Sequence, residues 1–331
     1  MANPLDRFFE GVLFVVGLAM GSFLNVCISR IPRDESVVRP ASHCRECGKA
    51  IRWFDNVPLL SFFLLRGRCR DCGARISLRY PAVELLTGVV FAACYAGYGP
   101  SWVTLKFCVF GFLLIGLIFM DAETGLLVHE FTYSGIVLGL LFSWIAPGDS
   151  SGTSLLLPLF HKQVSSLRWL SLLDAVLGAL VGAGFFYVAW ALYYLARKRH
   201  GLGFGDIALM AMVGAFLGMK LTVLVIVCAP ILTLMYIVGL LLWEAVCLVV
   251  AKPGGKKAPA EKTGLPPALR QAQGAEAESL ELSASPDAEG ESVEGQPFLQ
   301  REIPFGVFLG GCALAAIFVG EAVWRWYLGK L

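Results

Sequence analysis

The sequence predicts an all-α polytopic membrane protein of about eight transmembrane helices, with a small cytoplasmic zinc-ribbon-like insertion. Three observations carry this reading. Of 331 residues, 57% are hydrophobic and only 16% charged, with mean hydropathy +0.69; soluble domains carry about 25% charged residues. Apolar stretches long enough to cross a bilayer, roughly 20 residues each, recur along the chain. Paired cysteines stand in an Arg-rich polar segment between the first two stretches.

The stretches fall at about 9–28, 81–99, 102–120, 126–146, 171–196, 206–219, 221–250 and 304–327. Only Met219-Lys220 separates the sixth from the seventh. Arg7 before an apolar core suggests a secretory signal at first sight. The apolar run continues to about Val26, however, and no A-x-A site follows, so a retained first helix (1–30) is expected. Lys and Arg concentrate in short cytoplasmic loops. Eleven of them lie from Arg30 to Arg79, which puts 31–80 in the cytoplasm as a compact module. Threading eight spans from there places Arg197-Lys198-Arg199 and Lys256-Lys257 on the same side and both termini outside. The formal net charge of +2 says little about partners; a lipid bilayer is expected around the chain and no nucleic acid.

Residues 81–250 read as a transmembrane core, interrupted by an outer loop at 147–170 with no evident site. The segment 251–303 differs in composition. Its run at 258–296 is rich in Ala, Glu, Ser, Pro and Gly without an aromatic residue, too little apolar surface to order itself. It is expected to be a disordered cytoplasmic linker before the last helix at 304–331.

Cys44-x-x-Cys47 and Cys69-x-x-Cys72 are 21 residues apart, each within a Cys-Arg-x-Cys-Gly turn. That is the spacing of a four-cysteine zinc ribbon. Two disulfides are the alternative, disfavoured because cytoplasmic thiols stay reduced. A site closed by four thiolates is structural and leaves no open position for catalysis. The other six cysteines, scattered in apolar spans, read as small core residues.

Two acids stand at the membrane edge. Asp206 closes Gly203-Phe204-Gly205-Asp206, and Asp121 directly follows the apolar run GFLLIGLIFM. A carboxylate beside hydrocarbon is costly and usually faces a protein interior or a water-filled site. Two such groups brought together share a proton, and one acts as base toward water while the other acts as acid. Gly203 and Gly205 permit a tight backbone at a helix start. Capping is the plain alternative for Asp206, since a first-turn acid suits the helix dipole. An acid at a helix C-terminus gains nothing from the dipole, so that excuse is poorer for Asp121. Glu123 and Glu130 read as solvated loop charges. His129 and His200 fall near the same face and could assist the pair.

Taken together, GSFLNVCISRIP at 21–32, the paired knuckles, RYPAVELLTG at 79–88, the Asp121 region, GLGFGDIAL at 201–209 and IPFGVFL at 303–309 resemble the bacterial type IV prepilin peptidases, the GxGD class of aspartic proteases. The resemblance covers nearly the whole chain outside 251–303. It implies an enzyme of the bacterial inner membrane, multi-pass, with its active site at the cytoplasmic face. Such an enzyme cleaves the basic leader of type IV prepilins or pseudopilins after a glycine, and many members then methylate the new N-terminal amine with S-adenosylmethionine. On this resemblance Asp121 and Asp206 are the catalytic pair, and the four cysteines hold structural Zn2+. S-adenosylmethionine is implied by the resemblance alone, since no Rossmann-type glycine fingerprint occurs. Glu84 is a candidate contact for it, with a helix-start acid as the alternative.

The chain departs from the family pattern at three places. Leu127-Val128-His129 stands where Leu-Pro-Asp is usual, Ala208 where a lysine is common, and Val307 where Pro-Phe-Gly-Pro ends in proline. These departures keep open a catalytically impaired pilus-assembly scaffold. An ion-coupled transporter is a further alternative, although it would want acids at mid-span and leaves the cysteine module unexplained.

Overall fold

The computed structural model describes residues 4–147, 167–198, 203–250 and 304–328. Their elements are α1 (Pro4–Arg30), the short α2 (Leu60–Leu64), α3 (Arg79–Tyr98), α4 (Trp102–Thr124), α5 (His129–Ile145), α6 (Leu167–Arg197), α7 (Phe204–Val250) and α8 (Phe305–Leu328). No strand occurs among the described residues. Only the isolated bridges His43–Ala50 and Arg68–Arg75 pair extended backbone.

Six of these helices are long and apolar enough to cross a membrane, and the chain is a multi-pass membrane protein. Two differences separate this count from eight stretches. Helix α5 has 17 residues, short for a span of roughly 20. Helix α7 runs through the Met219-Lys220 seam, and its break falls one residue earlier, at Gly218. Helix boundaries also move outward from the apolar runs. In α4 the helix continues past Met120 to Thr124, where Gly125 in the left-handed region ends it by donating its N–H to Asp121 O, as helix C-caps commonly do. Asp121 therefore belongs to the last turn of a helix. Of the sequence expectations, His200, the linker 251–303 and most of the loop 147–170 lie outside the described residues.

The chain divides into two compact units, one of Met1–Tyr236 with Pro304–Leu331 and one of Ile237–Ile303. In the first unit α4 is the central helix, packing on α1, α3, α5 and α8. Its Phe110 stacks on Phe216 of α7 with ring centroids 4.5 Å apart. Helices meet through small residues four apart, which let backbones touch where lipid supplies no hydrophobic drive. Gly17 and Gly21 of α1 lie so close to α3 that a Cβ on either would stand 2.7 Å from Gly88 Cα or Glu84 Cα. Gly178 of α6 and Gly214 of α7 meet in the same way, with 2.6 Å from a Gly178 Cβ to Gly214 O.

The break in α7 is held by a buried acid. Gly218 has φ 74° and ψ 175°, a region that only glycine occupies without strain. Asp174 of α6 accepts the Met219 N–H at 3.3 Å, capping the helix segment that restarts there. Lys106 and Lys220 are buried nearby within its electrostatic reach. A Cβ at position 218 would stand 2.0 Å from Asp174 Oδ2. Gly218→Ala is accordingly expected to destabilise the protein by at least about 2 kcal/mol. The check is its thermal unfolding in detergent, and a midpoint equal to wild type would remove the role given to this contact.

Candidate active site

The site is built at one end of the bundle by three chain segments that converge on Asp121. The carboxylate is buried in the last turn of α4. Helix α8 begins beside it at Pro304-Phe305-Gly306-Val307, and the Val307 N–H donates to Asp121 Oδ2 at 3.0 Å; the Gly306 amide also bonds it. First-turn amides of a helix have no partner within the helix. Asp121 supplies one from another helix, and the positive end of the α8 dipole faces its charge.

Asp206 lies in the first turn of α7, also buried, with its own N–H bonded to Gly203 O at 3.2 Å. Asp121 is the charge that reaches it. The structure thus brings these two acids, both named from sequence, into one electrostatic neighbourhood.

Leu127 fits between the two glycine turns. A Cβ on Gly205 would stand 2.6 Å from Leu127 Cβ, and one on Gly306 would stand 3.2 Å from Leu127 Cδ1 and 2.8 Å from Asp121 Oδ2. Gly205 is therefore needed for close approach, whereas a Cβ on Gly203 would meet nothing nearer than 3.9 Å. Sequence reasoning missed the Gly306 and Val307 amides and the wedge at Leu127. Pro304 ahead of an apolar run was the available signal, since proline is favoured at a helix start, where the first amides have no partner within the helix.

Other expected participants are placed differently. His129 is exposed and its ring stacks on Tyr133, 5.3 Å between centroids. Glu123, expected to be a solvated loop charge, pairs with Arg79 of α3, and Arg79 also donates to Ser29 Oγ of α1 at 2.9 Å. The reason is tertiary: α3 brings a buried guanidinium to the end of α4. Ala208 is buried in α7.

Glu84 is no helix-start acid. It lies five residues into α3, buried, and accepts the Leu59 N–H at 2.8 Å. It lines a cavity of about 610 Å³ between the ends of α1 and α3 and the cysteine module. Asn25, Tyr80, Phe62, Asp55 and Arg70 line the same cavity. Asn25 Nδ2 donates to Tyr80 O at 3.0 Å, which fixes the amide, while its buried Oδ1 has no partner. Arg70 holds Asp55 through two hydrogen bonds of 2.8 and 2.6 Å and keeps that carboxyl below its usual range.

The four cysteines converge. Their sulfurs lie within 4.8 Å of one another, and all four are free thiols. Cys44 Sγ and Cys72 Sγ are 3.8 Å apart, the edge of a tetrahedron with zinc–sulfur bonds of about 2.3 Å. The two knuckles repeat one turn. Gly48 N–H bonds Cys44 O and Gly73 N–H bonds Cys69 O, each at 2.9 Å, with φ 69° and 73° at the glycines. The amides of Cys47 and Glu46 bring the Cys44 thiol down to about 7, toward the thiolate that a metal requires.

Two family models match the chain: the bacterial peptidase A24 N-terminal domain over residues 15–98 and the type IV leader peptidase family over 108–238. The chain is similar to the prepilin leader peptidase/N-methyltransferase of Myxococcus xanthus (strain DK1622), 40% identical over 213 residues, 63% of this chain and 56% of that protein. Proteins of the same description from Neisseria gonorrhoeae and Aeromonas hydrophila are 36% and 32% identical. Those matches cover 66% and 73% of this chain and 77% and 84% of theirs. No solved structure matches.

Proposed function

Because the chain belongs to the type IV leader peptidase family, we propose that it is a membrane aspartic endopeptidase that removes the leader of type IV prepilins or pseudopilins and methylates the new N-terminus. The single observation that carries the peptidase half is the buried pair Asp121 and Asp206, with helix-start amides donating to Asp121. The Arg-rich loop supports a cytoplasmic position for this end of the bundle, in the inner membrane on this reading.

Asp121 and Asp206 are the catalytic residues in this reading. Amide donors hold negative charge on Asp121, so Asp121 is the base that takes a proton from water, and Asp206 carries the shared proton and donates it to the scissile carbonyl oxygen. Water oxygen bonds the carbonyl carbon; the C–N bond then breaks as the proton on Asp121 passes to the leaving amine, and the new carboxyl group returns a proton to Asp206. Gly205, Gly306 and Leu127 position the two carboxylates.

The cavity beside Glu84 suits S-adenosylmethionine. Its volume is in the range of small-molecule sites, Phe62 and Tyr80 line it, and Asn25 Oδ1 is an acceptor without a donor. Glu84 opposes the cofactor's positive charge, while Asp55 is held by Arg70. When bound, S-adenosylmethionine supplies the methyl group for the mature amine. The cysteine cluster is the site for one structural Zn2+, and Cys69→Ser is expected to lower bound zinc from about one per chain toward zero, read by metal analysis of the purified protein.

The test is incubation of purified enzyme with a prepilin and S-adenosylmethionine, followed by mass analysis of the mature N-terminus. Leader loss with the gain of one methyl group is expected; an intact prepilin would sink the reading. Glu84→Gln is expected to weaken S-adenosylmethionine binding by roughly tenfold, about 1.4 kcal/mol for one charged contact, measured by calorimetry, while cleavage continues.

A further inference from the structure

Between the two cysteine knuckles the chain dips toward the membrane. The Leu59 N–H reaches Glu84 Oε2 at 2.8 Å. Glu84 lies five residues along α3 from Arg79, about 7.5 Å inward at 1.5 Å per residue. Arg79 pairs with Glu123, which is two residues, about 3 Å, outward of Asp121 on α4. Leu59 is thus held beside the first turns of α3, at the same end of the bundle as Asp121.

Helix α2 starts there. Ser61 faces inward, donating to Phe54 O at 3.0 Å and accepting the Val57 N–H at 3.0 Å. Phe62 and Leu65 line the 610 Å³ cavity. Leu60, Phe63 and Leu64 share the opposite side, within about 100° of arc at 100° per residue. They are 55%, 70% and 71% exposed. Arg66 and Arg68 follow at once, both exposed.

We infer that α2 is an interfacial anchor: its Leu60-Phe63-Leu64 face lies in the acyl boundary of the bilayer, and Arg66 and Arg68 meet the phosphates of anionic lipid headgroups. Position supplies the first half, because three large apolar side chains stand exposed beside the end of a spanning helix, where the acyl boundary suits them. Charge supplies the second, since basic residues at an anionic leaflet are attracted to it. Helix α2 then forms a wall with the cavity on one side and lipid on the other.

The experiment adds one fluorophore to the full chain. Phe63→Trp and, separately, Leu64→Trp are reconstituted in vesicles of brominated phosphatidylcholine with or without phosphatidylglycerol, and wild-type emission from the eight native tryptophans is subtracted. The added emission is expected to be blue-shifted and at least halved by brominated acyl chains, more so with phosphatidylglycerol. Quenching by aqueous iodide instead overturns the anchor. Shielding from both quenchers identifies a protein contact and also overturns it. In Arg66→Gln/Arg68→Gln the phosphatidylglycerol effect is expected to vanish; its persistence overturns the phosphate assignment.

Discussion

Asparagine at Asp121 or at Asp206 is expected to lower leader cleavage by roughly 10²- to 10⁴-fold, the range for removing a general acid or base. Each change keeps shape and removes one carboxylate. In Asp121→Asn the side-chain amide oxygen can still accept the Val307 N–H that the carboxylate takes at 3.0 Å, so the start of α8 keeps its partner and the fold survives. The double variant is expected to be little worse than either single one, because the two groups act as a unit. Cleavage kinetics on a prepilin, with thermal unfolding as the control, decide the matter. Rates near wild type in either variant would remove that residue from the mechanism.

The second large effect needs no change to a reacting group. In Gly306→Ala the new Cβ would stand 2.8 Å from Asp121 Oδ2 and 3.2 Å from Leu127 Cδ1, so the carboxylate must shift by a few tenths of an ångström or more. Displacements of about 1 Å cost on the order of 10²-fold in rate. A loss of roughly 10- to 100-fold in kcat is therefore expected, with insertion and cofactor binding kept. Gly311→Ala on the same helix has nothing within 4 Å of its Cβ and serves as the silent control. Equal activity of the two variants would mean that α8 does not position Asp121.

Hydropathy located the helices because each must satisfy its backbone within itself in lipid. Their ends were less legible. The apolar run stops at Met120, but helix α4 stops at Gly125, where the backbone turns left-handed; hydrophobicity and helix termination are separate signals. The seam in α7 was visible as Lys220, yet Gly218 makes the break, and Asp174 of another helix holds it. The pattern of glycines and acids marked Asp206 and Asp121 as candidates. It carried no sign of their surroundings: Val307 is 186 residues from Asp121, and Glu123 is 44 residues from its partner Arg79. Such contacts belong to topology, which local spacing does not encode. The cysteine pairs were legible at once, because each knuckle closes within its own turn.

The bond between Val307 and Asp121 also sets an order on biogenesis. A chain emerging from the ribosome inserts Asp121 and Asp206 long before residues 305–328 exist. Until α8 arrives, Asp121 lacks the amides that fix it, and the proposed hydrolytic centre is unfinished. In the proposed mechanism competence waits on α8, and a chain inserted only as far as α7 stays inert among its neighbours.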